Sequence, residues 1–186
     1  MRKILVSACL LGEKVRWNGT DRAVDDPRLA RWIAEGRVVA FCPECAAGLP
    51  VPRPAAEIEP GADAEAVLAG EARITTAEGT NLSDAFRRGA DLAVDVARAH
   101  DVGIALLTEG SPSCGTRSVA DGRFRGRRVP GRGLTAARLA GAGVVCFAPD
   151  RLEAAAEALE RVEDAAPRPS GAISDAECPH LSRTDR

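Results

Sequence analysis

Tyrosine is absent from this chain, and two tryptophans and four phenylalanines hold the aromatic fraction at 3%. Proteins that track single-stranded nucleic acid stack successive bases on aromatic rings, so this scarcity argues against a long RNA or DNA track. A net charge of −2 adds no global attraction to nucleic acid or to an anionic membrane, and any polyanion would need a local patch. No apolar run approaches the roughly 20 residues of a membrane span. The start, MRKILVSACLLG, is basic and apolar but short, and it passes directly into Glu13, Lys14 and Arg16, unlike a secretory leader. The expected compartment is the cytoplasm.

Six cysteines in such a setting point to metal binding or catalysis more than to disulfides. With 186 residues and 45% hydrophobic content, the chain can bury one core. The expected division is a single α/β domain over residues 1–163 and a disordered tail over 164–186, where Pro, Ser, Asp and Arg replace any apolar stripe. Short apolar runs at Ile4–Val6, Val38–Phe41, Ile104–Leu107 and Val144–Phe147 read as buried strands. Helical patterns alternate with them: from the Asp26-Pro27 start to Gly36, from Thr80–Asp84 to about His100, at Thr135–Ala140, and from an Asp150 cap to Glu163. The fold class is therefore α/β, a Rossmann-like three-layer sandwich with a mainly parallel sheet. Between Cys42 and Gly61, Pro43, Pro50, Pro52 and Pro54 forbid a regular helix or central strand, and the stretch reads as a stiff irregular loop. Ala72–Thr76 adds an edge strand, and SVADGRFRGRRVPGRG reads as a hairpin.

Three of the apolar runs deliver a cysteine as they end. Ile4–Val6 leads to Cys9, Val38–Phe41 to Cys42, and Ile104–Leu107 to Ser111-Pro112-Ser113-Cys114. If these strands are parallel neighbours, the thiols emerge at one sheet edge, where open α/β sheets place ligands. Thiolates suit an iron–sulfur cluster, zinc or copper(I). Cys45 extends Cys42 to a Cys-x-x-Cys spacing, leaving three uses open: a fourth metal ligand, a thiol redox pair, or neither. Cys146 reads as a small core hydrophobe. His100 suits a helix C-terminus, and Cys178-Pro-His180 is too short a pattern to argue a metal site.

SACLLGEKVRWNG, CPECAAGLPVPRPAAEI, NLSDAFRRGA, GSPSCG and DGRFRGRRVPGRGLTAARL follow the order and approximate spacing of the 2-thiouracil desulfurase family. The resemblance covers about residues 1 to 160. It implies an enzyme, a desulfurase that takes sulfur from a thiolated pyrimidine such as thiouracil without net redox change. It also implies a 4Fe-4S cluster on Cys9, Cys42 and Cys114 whose fourth iron has no protein ligand. Glu44 of CPE and a serine of SPSCG fall where the family has its acid/base and substrate-handling groups. Ser111 is the first choice for that serine, and Ser113 is a substrate-side or turn hydroxyl. The family usually has a residue other than cysteine at position 45. If Cys45 closed the fourth iron, the reading would move toward a structural or electron-transfer cluster. The competing class is a zinc- or cluster-binding structural module on Cys9, Cys42, Cys45 and Cys114.

Arg123, Arg125, Arg127, Arg128 and Arg132 crowd one turn-rich stretch. Arg125 and Arg127 are the candidates for clamping a substrate phosphate, which would make the substrate a thiolated nucleotide. RNA ranks below a mononucleotide for want of aromatics, and neither DNA nor membrane is an expected partner.

Overall fold

The computed structural model describes residues 1–165. From residue 166 on, the expected tail lies outside the described residues, as do Cys178 and His180. Eight strands occur among them: β1 (Lys3–Ser7), β2 (Val38–Phe41), β3 (Ala56–Ile58), β4 (Ile74–Thr76), β5 (Val102–Leu106), β6 (Ser118–Ala120), β7 (Arg128–Pro130) and β8 (Val145–Phe147). The main sheet has the order β2-β1-β5-β8, and every pairing in it is parallel.

Alternation within the strands divides the core in two, since successive side chains leave a strand on opposite faces. Ile4, Val6, Ile104 and Leu106 face one side with Leu29 and Trp32 of α1 (Pro27–Ala34), a one-turn α2 (Pro43–Ala46) lying elsewhere. Leu5, Ala105 and Leu107 face the other side, where Ala93, Val94 and Ala97 of α4 (Ser83–Ala99) and Ala136 and Leu139 of α5 (Leu134–Gly141) close over them. Leu152, Ala155, Ala158 and Leu159 of α6 (Leu152–Asp164) complete the first layer. The fully buried Ile4, Ile104 and Leu106 side chains each stabilise the fold by about 1.5–3 kcal/mol. The result is the expected three-layer α/β sandwich. As expected, Asp26 caps α1, its Oδ1 accepting the Arg28 N–H at 2.8 Å with Pro27 at the first helical position.

The stretch expected to be irregular is more ordered than its prolines suggested. Pro43 occupies the first position of α2, where a missing N–H costs nothing. Farther on, β3 pairs antiparallel with β4, and α3 (Ala64–Ala69) joins them. Ile58, Ala64, Val67 and Ile74 pack against Phe86 and Ala90 of α4 and Leu134 of α5 as a third core. Two other expectations are corrected. Val38–Phe41 and Val144–Phe147 are the two edge strands of the main sheet, not buried ones: no residue of β2 is buried, and Val145 is 48% exposed. Asp150 does not cap α6: a 3-10 turn over Pro149–Arg151 intervenes, and the Asp150 carboxylate receives Arg117 at 2.7 and 2.8 Å. β6 and β7 form the expected hairpin.

The register sets up the site. Ser7 lies opposite Phe41 and Val6 opposite Leu106, so β1, β2 and β5 end together. The chain winds from β1 outward to β2 on one side and reaches β5 on the other, which makes the carboxyl end of β1 the point where the order reverses.

Candidate active site

A cavity of about 200 Å³ opens at that reversal, lined among others by Cys9, Cys42, Glu44, Ser111 and Cys114. Cys9 sits in a 3-10 turn (Ala8–Leu11) directly after β1, and its Sγ shares a 2.9 Å hydrogen bond with Thr108 Oγ1. The Thr108 N–H in turn donates to Ser7 Oγ at 3.1 Å, tying the ends of β1 and β5 together. Cys42 follows β2 as the N-cap of α2. That turn is pressed against α4 at Gly89, where a Cβ would collide with the Pro43 carbonyl oxygen. A glycine is therefore what lets α4 hold Cys42 and Glu44 so close to the sheet edge.

Cys114 is buried in the turn after β5, and the geometry of that turn separates the two serines. Ser111 Oγ accepts the N–H groups of Ser113 at 3.0 Å and Cys114 at 3.2 Å. With its oxygen engaged by two donors, the Ser111 hydroxyl keeps its own proton available for a partner in the cavity. Ser113 is buried outside the lining, and its Oγ shares a 3.0 Å hydrogen bond with Thr135 Oγ1.

Burial dominates the thiols. It raises Cys9 above the ordinary thiol value, against the opposing pull of Thr108, Arg16 and Arg22. It pushes Cys42 up to about 12, against a backbone hydrogen bond from Cys45 and with the Cys45 side chain and Glu44 adding to the rise. Cys114 is raised further, again by burial first. Such thiols stay protonated until a metal centre supplies the positive charge that favours thiolate. Cysteine sulfurs around one cavity are the donor set of an iron–sulfur cluster. Among the described residues, no three His, Cys, Asp or Glu side chains gather tightly enough to hold a single metal ion. Cys45 is not part of the lining, and its Sγ lies 3.8 Å from the Val15 carbonyl oxygen.

Several lining residues were not singled out from the sequence. Arg53 is buried and joins three segments: Nε and Nη2 reach Glu44 Oε2 at 2.8 and 2.6 Å, Nη1 donates to Pro50 O and Nη2 to Val15 O. Its own pKa is raised, because the attraction of Glu44 outweighs a burial effect that alone would lower it. Glu57 of β3 also faces the cavity, as does Trp17, which is 46% exposed. Arg53 and Glu57 lie in the proline-rich stretch that carries part of the family resemblance, but neither was given a role there. Glu109 anchors the far wall, accepting N–H groups from Thr116, Arg117 and Ser118 and the hydroxyls of Thr116 and Ser118.

Positive charge meets the cavity at different arginines from those expected. Arg125 and Arg127 are exposed and outside the lining. Arg16 and Arg22 line it, and their hydrogen bonds go to Thr20 Oγ1 and the Glu109 carbonyl, not to carboxylates. Arg128, like Arg125 and Arg127, is exposed and outside the lining, but its guanidinium crosses Gly110, which does line the cavity: a Cβ there would lie 2.6 Å from the Arg128 Cζ. Burial, then Arg16 and Arg128, lower the Arg22 pKa, so Arg22 feels both of the other cations.

Known proteins resemble this chain. YbbK of Bacillus subtilis strain 168, an uncharacterised protein, is 38% identical over 140 residues, 75% of this chain and 91% of its own length. The solved structure of the 4Fe-4S-dependent thiouracil desulfidase TudS superposes with a TM-score of 0.79 at 41% identity, covering 87% of this chain and 99% of that one. Residues 4–151 match the model of 2-thiouracil desulfurase, and the chain belongs to that family.

Proposed function

We propose that this protein is an iron–sulfur-dependent desulfurase that converts a thiolated pyrimidine and water into the corresponding pyrimidine and hydrogen sulfide. Exchanging sulfur for oxygen leaves the carbon at the same oxidation level, so the balance needs no electron donor or acceptor. The observation that carries the reading is the convergence of Cys9, Cys42 and Cys114 on one cavity that also holds Glu44 and Ser111. Those three thiols would hold a 4Fe-4S cluster with one iron left to the substrate, and the placement of Cys45 outside the lining favours that open corner. When bound, the cluster supplies a Lewis-acidic iron that can take a thiocarbonyl sulfur.

The chain's own residues supply the rest. Arg53 occupies Glu44 Oε2 and leaves Oε1 to receive the proton of the attacking water. Ser111 donates its free proton to a substrate heteroatom and so orients the ring. Arg16, Arg22 and Arg128 support a substrate bearing a phosphate, a thiolated mononucleotide in preference to RNA. No helix among the described residues is long and apolar enough to cross a membrane.

The test is anaerobic purification followed by metal and sulfide analysis and a sulfide-release assay on 2-thiouracil. The expected result is about four iron and four sulfide per chain with turnover. One tightly held zinc, no sulfide and no turnover would remove the enzyme reading.

A further inference from the structure

Glu57 is a carboxylate in the cavity for which the reaction above has no use. It is 9% exposed, and its Oε2 accepts the Phe124 N–H at 3.0 Å. Among the described residues no Lys, Arg or His stands at ion-pair distance from it, and the nearby buried Arg53 is committed to Glu44. A buried carboxylate with one donor is short of partners, and removal from water makes a further donor valuable.

Its position is built, not incidental. Phe124 holds a φ of 56°, a left-handed conformation that bulky residues seldom adopt. Beside it Gly122 (φ 78°) lies so close to β3 that a Cβ would overlap the Ile58 carbonyl oxygen. The tip of the β6–β7 hairpin is therefore clamped onto β3 at Glu57, and unfavourable backbone is retained where it fixes this side chain.

We infer that Glu57 selects the substrate by accepting the ring N3–H of a thiolated pyrimidine. This rests on the desulfurase reading of the same cavity. N3–H is the ring donor common to the free base and its N1-linked nucleotide, so it serves either substrate. A thiolated uracil presents that proton to the carboxylate. A thiolated cytosine of the same outline presents a lone pair there and is repelled. Sites built to bond a substrate N–H discriminate strongly against analogues without one, because the protein group is left unpaired.

The experiment compares kcat/KM for 2-thiouracil and 2-thiocytosine in wild-type holoenzyme and in Glu57→Gln, with iron content measured in both. Wild type should favour 2-thiouracil. Glu57→Gln should lower that ratio at least about tenfold, since an amide can donate to the cytosine N3. A variant that loses both activities by the same factor, or keeps the wild-type ratio, overturns the proposal. If the variant fails to fold, N3-methyl-2-thiouracil decides the matter in wild type: turnover equal to that of 2-thiouracil overturns it. Absence of any turnover by iron-replete wild type is a separate result, which removes the desulfurase reading and this proposal with it.

Discussion

Two nitrogens of Arg53 converge on one oxygen of Glu44, leaving the other carboxylate oxygen for the cavity. Breaking a buried ion pair from one side costs about 3–5 kcal/mol because the remaining charge is stranded. Arg53→Ala should therefore lower the thermal midpoint sharply. Arg53→Lys keeps the charge but cannot place two donors on Oε2 while also reaching Pro50 O and Val15 O. A misplacement of about 1 Å in a reacting group costs about 10²-fold in rate, so kcat should fall by that order with KM little changed. Wild-type kcat in Arg53→Lys would show that the guanidinium fork does not position Glu44.

The thiols divide by placement. Cys9→Ala, Cys42→Ala and Cys114→Ala should each lose iron and sulfide together with turnover, whereas Cys45→Ala and Cys146→Ala should retain them. Cys146 belongs to β8, outside the thiol-lined cavity, where burial pushes it up to about 12 and makes it an inert thiol. Full cluster content in Cys42→Ala, with loss on changing Cys45, would reverse the assignment within the Cys-x-x-Cys pair.

Much of this arrangement was legible because a buried parallel strand announces itself as an unbroken apolar run. Where such runs stop, the cysteines could be placed at one edge before any pairing was known. Partners distant in sequence or fixed by folding were not legible. Nothing local to Arg53 says that it will close on Glu44, and nothing in the arginine-rich hairpin says that of its exposed arginines Arg128 is the one to lie across Gly110. The prolines misled by count. Pro43 only starts a helical turn, and the three-residue strand β3, which pairs with the expected β4, is too short to show a period of two.

Glu109 gives the fold an acid-sensitive wall. Burial alone would raise its pKa, but hydrogen bonds from Thr116, Ser118 and Arg117 outweigh that and hold it below the ordinary 4.5. A depressed carboxylate contributes stability that is present above its unfolded value and disappears as pH falls through the folded one. The thermal-midpoint gap between wild type and Glu109→Gln should be widest near neutral pH and shrink below about pH 4.5. A gap that is unchanged or grows on acidification would mean that the carboxylate's charge is not what holds this wall.

Substrate size turns on Arg16, Arg22 and Arg128. Arg22 is repelled by Arg16 and Arg128, and among the described residues none of the three has a carboxylate partner, so a phosphate can meet them with charge-assisted hydrogen bonds of roughly 1.5–3 kcal/mol each. A thiouridine monophosphate should therefore have a KM roughly tenfold or more below that of free thiouracil. Because the group is only partly shielded, the advantage should weaken as salt rises and the Debye length falls from about 10 Å at 0.1 M. Arg22→Ala and Arg128→Ala should each remove about tenfold of the monophosphate's advantage, with a smaller effect on the free base. Arg125→Ala and Arg127→Ala, on exposed side chains outside the cavity, should leave the comparison nearly unchanged. Steady-state kinetics of base, monophosphate and thiolated tRNA at several salt concentrations measure all of this. A monophosphate that gains nothing over the base, or a larger loss on changing Arg125 and Arg127 than on changing Arg22 and Arg128, would take the phosphate away from this cluster.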